Sequence, residues 1–596
     1  MADVQRNRPP QGALSASLSL SKIQVRPFPQ PRWSQILTTP TDEVYKSAKL
    51  DPSGDERSKG KAPMVEDEID DGEAGPELPP DFEEDVPDDE DGRFFGGGME
   101  RKTAQAMEYI DGQEEEAAPE KFDAAWVRRF ALNFEKKISK NAELRAKFES
   151  DPQKFMASEA DLDTEIKGLS ILSEHSDLYE EFAKMGCVAS LTSLLSHENA
   201  DIAIDVIQII SELTDEDVEA EQEQWDALVN AMIEADLIEL LAQNLSRLDE
   251  GSETDRAGVY YVLSVMENLA SQTSLAEKIG QDAAILPWIL SRIQRKEAII
   301  SQNKQYAAEI LAILLQSTPK NRTKFIELDG IDILLQLLSA YRKRDPAKDS
   351  DEEEYVENMF DALICLVEED TGKEKFVEAE GVELALIMLK EGKFSKPRAL
   401  RVLDHAFSGM GGASACERLV EAAGLKPVFG MFLKKQEGQS IEHFLGIFAS
   451  LLRLLPGGSA PRIRTLAKFM EKDYARIEKL VNLRREYAAR VLPVEQAIEK
   501  ERRTFDKEEQ ELMAGEWLSR RLDAGLFSLQ TIDVILAWLL AEDDGAKRKI
   551  VSLLADRDED LSLIRGTLQE QIEGLGEDDP GHKDLKDMLN TLLQFV

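Results

Sequence analysis

The 596-residue chain has only three cysteines, Cys187, Cys365 and Cys416, and five histidines. Their scatter excludes a disulfide framework or a zinc cluster of the usual ligand spacing, and it suits a reducing compartment. No apolar run approaches the roughly 20 residues that cross a bilayer, so no membrane partner is expected. The N-terminus lacks the continuous apolar core of a secretory signal. Residues 1–40 are rich in Arg and Ser, but Pro9, Pro10, Pro27, Pro29 and Pro31 interrupt the amphipathic helix that a mitochondrial presequence needs. Positive charge is scarce too: 72 Lys and Arg face 116 Asp and Glu, a net charge of −44. A phosphate backbone draws its affinity from Lys and Arg, so direct nucleic-acid binding is not expected. The constellations of enzyme chemistry are also missing. Gly409-Met410-Gly411-Gly412 follows no strand, and Asp404-His405 has no Ser or Cys nucleophile beside it. No catalytic residue, metal or cofactor is expected.

What is present falls into a tail and a periodic region. Residues 1–120 read as a disordered tail whose block 66–91 holds 15 acidic residues and no basic one. Such a stretch repels itself and has too little apolar surface to offset the entropy of ordering. The island Phe94-Phe95 beside Gly96-Gly97-Gly98 reads as a linker with two aromatics.

From about residue 120 a period appears. Turn residues recur at Gly186, Asp236, Gly280, Gly330, Gly381 and Gly424, spaced 50, 44, 50, 51 and 43 apart. Five residues after each stands Leu191, Leu241, Ile285, Leu335, Leu386 or Phe429; eight after, all are apolar except Asn244. Those offsets share one face of a helix begun just after the turn residue. A longer amphipathic stretch follows each: Ile202–Leu213, Val259–Leu269, Tyr306–Leu315, Val356–Val367, Arg398–Phe407 and Ile441–Leu455. Glycine is expected to supply the left-handed or open backbone between the first two helices. Two short helices and a longer third at this period predict an all-α, armadillo/HEAT-type right-handed superhelical solenoid. The domains are then an N-terminal helical cap and first partial repeat at 121–185, armadillo repeats at 186–456, and a C-terminal helical region and cap at 457–596. In the last, Leu466–Val491 reads as a helix interrupted by Pro493, the run from Arg484 to Arg503 as a solvated face, and Ala524–Leu540 as the terminal cap.

No unit of this kind buries its apolar face alone, so units stack and the third helices line one long groove suited to extended polypeptides. In nuclear-import armadillo proteins, Trp and Asn one turn apart on each third helix hold a basic peptide. Here only Asn268 matches and no Trp does, so that carrier role is not expected. Acids recur instead at Glu212, Glu267, Glu309, Glu357 and Asp361, and a carboxylate-lined groove attracts Lys/Arg-rich segments.

Several strings resemble the beta-catenin-like protein 1 family of armadillo proteins. They include Phe134-Glu135-Lys136-Lys137, Asp151-Pro152 through Phe155-Met156, Ala312-Ile313-Leu314-Leu315-Gln316, Glu327-Leu328-Asp329-Gly330-Ile331-Asp332, Val402-Leu403-Asp404-His405-Ala406 and Arg520-Arg521-Leu522-Asp523-Ala524-Gly525-Leu526-Phe527. The similarity runs from about residue 121 to the end. It implies a nuclear, non-enzymatic, spliceosome-associated scaffold that accompanies the nineteen-complex and binds basic, nuclear-localisation-like segments of splicing factors. One departure is the absence of a compact Lys/Arg cluster in the tail, where Arg57-Ser58-Lys59-Gly60-Lys61 is among the nearest approaches. The alternative is a cytosolic transport adaptor or chaperone-like solenoid for other clients. A homodimer of solenoids is compatible with either.

Overall fold

The computed structural model describes residues 121–435, 438–575 and 580–596. Residues 1–120, for which disorder is the expectation, with their acidic block and the Phe94-Phe95 island, lie outside the described residues. Among those described every regular element is helical.

The chain begins with α1 (Ala124–Lys147) and α2 (Met156–Gly168), packed on one another. Six helix triplets follow. They are α3 (Tyr179–Lys184), α4 (Cys187–Ser193) and α5 (Ala200–Thr214); then α6 (Gln222–Glu234), α7 (Leu237–Arg247) and α8 (Glu253–Ala270). Next come α9 (Thr273–Gln281), α10 (Ile285–Gln294) and α11 (Gln302–Ser317), and then α12 (Pro319–Glu327), α13 (Gly330–Leu338) and α14 (Asp351–Leu366). The last two are α15 (Asp370–Glu378), α16 (Gly381–Glu391) and α17 (Ser395–Phe407), and α18 (Ala413–Glu421), α19 (Leu425–Phe432) and α20 (Gly438–Leu454). Each third helix, α5, α8, α11, α14, α17 and α20, packs against the next one. One apolar cluster runs without a break from Val127 to Val596, as a solenoid requires when no repeat has a core of its own.

The turn residues work differently from the expectation. Of the six turn residues only Gly186 and Asp236 are themselves left-handed, with φ 78° and 61°. At later turns the left-handed position belongs to Asp329, Glu380 and Ala423. Gly330 and Gly381 come one residue later, inside the helix, and are needed because the chain passes tightly over an aromatic ring. A Cβ on either would lie 2.3 Å from Phe325 or Phe376, well inside van der Waals contact. Gly280 sits within α9, where the side chain of Asn321 occupies its Cβ space.

Asn244, the polar exception in the apolar register, is fully enclosed and bonds across repeats. Its amide donates to Leu195 O of the preceding repeat at 3.0 Å, and to Leu240 O one turn back in its own helix at 2.8 Å. Asn321 likewise donates to Ala276 O and Leu314 O. Buried amides of this sort satisfy carbonyls that the helix ends leave open, and so hold one repeat in register on the next.

Beyond the triplets, α21 (Ala460–Arg502) runs straight through Pro493. Its break lies earlier, at Glu471–Tyr474, where Lys472, Asp473 and Tyr474 all take positive φ. After α22 (Lys507–Asp523), α23 (Leu526–Glu542) forms the centre of this region. It is enclosed by α20, α21, α24 (Asp544–Ala555), α25 (Ser562–Glu573) and α26 (Pro580–Leu592). It is therefore a core helix and not the terminal cap expected from its apolar stripe. Arg484 is equally far from a solvated face: it is 5% exposed and pairs with the fully buried Asp533 at 2.7 Å.

Candidate partner-binding surface

Each third helix buries most of its circumference against both neighbours and its own repeat, and leaves one narrow polar strip. On that strip the structure places Glu212, Glu267, Glu309, Glu357 and Asp361, all half-buried, together with Asn268. Half-burial matters, because a carboxylate partly stripped of water needs a partner to stay ionised.

Along the carboxyl-proximal helices that partner comes from within. Glu357 on α14 accepts from Arg398 on α17, with Nε at 2.6 Å. Asp361 accepts from Arg401 at 2.8 Å. Glu368, just past α14, meets His405 Nδ1 at 3.4 Å, and Asp404 meets His443 Nδ1 at 2.9 Å. Burial alone would push the Glu368 carboxyl up, but the hydrogen bond and charge of His405, with Arg322 and Lys373, hold it below its ordinary value. For Asp361 burial outweighs Arg401 and the carboxyl stays raised. His405 thus lines this strip beside Glu368.

The amino-proximal helices differ. Among the described residues Glu212 on α5 accepts from the Gln208 amide alone, at 2.9 Å, and Glu309 on α11 from the Gln305 amide alone, at 2.9 Å. Glu267 on α8 accepts from the hydroxyl of Tyr306. Among the described residues none of the three forms an ion pair with Lys, Arg or His. Burial pushes Glu309 up to about 7, with the charges of Glu267 and Glu354 adding to the rise. Burial likewise raises Glu267, assisted by Glu216 and Asp215. The rings of Tyr260 and Tyr306 stand beside them, 5.1 Å apart.

Asn268 is spoken for. Its amide donates to Ser211 O and Thr214 Oγ1, both at 3.1 Å, so it clamps α8 to α5. The pairing of Glu357 and Asp361 was missed by a reading of single helices. The signal was there: Arg398 and Arg401 follow them by 41 and 40 residues, close to one repeat.

Residues 104–569 match the family described as catenin-beta-like, Arm-motif containing nuclear. A relative from Schizosaccharomyces pombe, described as a beta-catenin-like protein 1 homolog, is 38% identical over 82% of this chain and 86% of its own. Beta-catenin-like protein 1 of Homo sapiens is 36% identical over 76% of this chain and 83% of its own. Among solved structures, a designed armadillo repeat protein is similar over 44% of this chain and 99% of its own, at 16% identity and a TM-score of 0.34.

Proposed function

Because the chain belongs to the catenin-beta-like, Arm-motif containing nuclear family, we propose that it is a non-enzymatic scaffold of the nuclear pre-mRNA splicing machinery. It docks splicing factors, those of the nineteen-complex among them, through Lys/Arg-rich segments laid along its third helices. One observation carries this reading: Glu212, Glu267 and Glu309 are half-buried on successive third helices, and among the described residues no cation pairs with them. Cationic side chains from a partner would supply the missing charge, and the acidic field of the chain would speed their approach.

The test uses the full chain and a fluorescein-labelled Lys/Arg-rich peptide followed by anisotropy across a salt series. Tight binding that weakens steeply with salt, and is lost for the same peptide with Glu in place of Lys, is the expected outcome. Binding indifferent to salt and to Glu212→Lys plus Glu309→Lys would overturn the docking mode. Imaging of the tagged chain tests the compartment: exclusion from nuclei would overturn the splicing role.

A further inference from the structure

The strip is not uniform even within its acidic half. Carboxylates alone draw cations without choosing among them, but at α8 and α11 they come with aromatic faces. Tyr260 and Tyr306 lie with ring centroids 5.1 Å apart, and the Tyr306 hydroxyl donates to Glu267. Glu267 and Glu309 both act on Tyr260, which is half-buried, whereas Tyr306 is buried at 7% exposed, so Tyr260 is the ring left to receive a side chain. A ring face beside a carboxyl suits the long cationic side chains, whose stem packs on the ring while the head meets the charge.

We infer that the Tyr260–Tyr306–Glu267–Glu309 cluster seats one Lys or Arg side chain of the docked segment. The inference rests on the docking reading above and gives it a register. Among the described residues the groups facing Glu309 are Glu267 and Tyr260 on α8, Glu354 on α14 and Gln305 on its own helix; the two glutamates are acidic, and the phenol and the amide are neutral. With only like charges around it, the free carboxyl keeps its proton to about pH 7. An incoming ammonium or guanidinium stabilises the carboxylate, so the O–H bond breaks, the electron pair stays on Glu309 and the proton leaves to solvent. Affinity therefore rises with pH across neutrality, which a groove of ordinary carboxylates, ionised well below pH 6, would not do.

The experiment measures binding of a His-free Lys/Arg-rich peptide to the full chain at pH 6 and pH 8. Calorimetry at pH 7 in two buffers of different ionisation enthalpy is run in parallel to count protons released. The expected result is affinity about tenfold tighter at pH 8, with proton release at pH 7. Glu309→Gln should abolish both, and Asp205→Asn, on the neighbouring α5, should leave both in place. Tyr260→Leu, which keeps apolar bulk and loses the ring face, should weaken binding about three- to tenfold. Circular dichroism melts establish that each variant is folded. Binding that is salt-sensitive but flat with pH, or a Glu309→Gln variant that still releases a proton, overturns this inference and leaves the docking reading standing. No binding at either pH overturns both.

Discussion

The two halves of the third-helix row are built from the same kind of helix and carry the same kind of residue, yet they are electrostatically opposite. On and just past α14, and on α17, half-buried acids meet Arg398, Arg401, His405 and His443 from the next third helix along. On α5, α8 and α11, Glu212, Glu267 and Glu309 meet only amides and a phenol. A carboxylate paired inside the protein holds repeats together and has little left to offer a ligand. An unpaired one costs folding free energy and returns it when a cation arrives. The lesson is that acidity of a groove is a property of pairs and not of residues.

The largest effect expected from this contrast is on binding. Glu267→Lys with Glu309→Lys should weaken a Lys/Arg-rich peptide by about a hundredfold, whereas Glu357→Gln with Asp361→Gln should change affinity by less than about threefold. Anisotropy titration of both double variants reads the ratio directly. Equal losses would erase the distinction between the halves.

The converse experiment makes the closed half resemble the open one. Arg398→Gln with Arg401→Gln leaves Glu357 and Asp361 without their cations. Affinity for the basic peptide should then rise about three- to tenfold, while thermal stability falls as expected for partly buried pairs.

The smallest effect is in stability against pH, and its sign differs between Glu309 and Glu368. The folded pKa of Glu309, at about 7, is raised above its unfolded value. Its favourable state is thus fully present below the unfolded value, and stability is lost as pH rises through 7. From pH 6 to pH 8 the loss is about 1 kcal/mol, and Glu309→Gln should remove it. Glu368 is held low, so its contribution is present above the unfolded value and is lost only as pH falls through the folded one. Hydrogen exchange resolved by helix should show α11 losing protection between pH 6 and pH 8, with α14 steady.

Much of this was legible in the sequence, and the parts that were not share a cause. The third helices appear where the spacing put them: Ile202–Leu213 lies inside Ala200–Thr214, and Tyr306–Leu315 inside Gln302–Ser317. Apolar periodicity is local, so it can be read from neighbours a few residues apart. Glycine was found at the right places for an incomplete reason, since the need at Gly330 and Gly381 is room for Phe325 and Phe376, which only packing reveals. Pro493 was read as a break because it removes a hydrogen-bond donor, yet the helix carries it and breaks instead at Glu471–Tyr474. Asn268 looked like a ligand-holding amide and proved to be a clamp on Ser211 and Thr214.

By itself, then, the order of residues determined the repeat, its three helices and which positions of the third helices carry acids, because each follows from contacts within one or two turns. Tertiary structure alone decided which of those acids are spoken for. Asp361 and Arg401 stand 40 residues apart in the chain and 2.8 Å apart in space, and only the stacking of one repeat on the next makes those two separations describe the same pair.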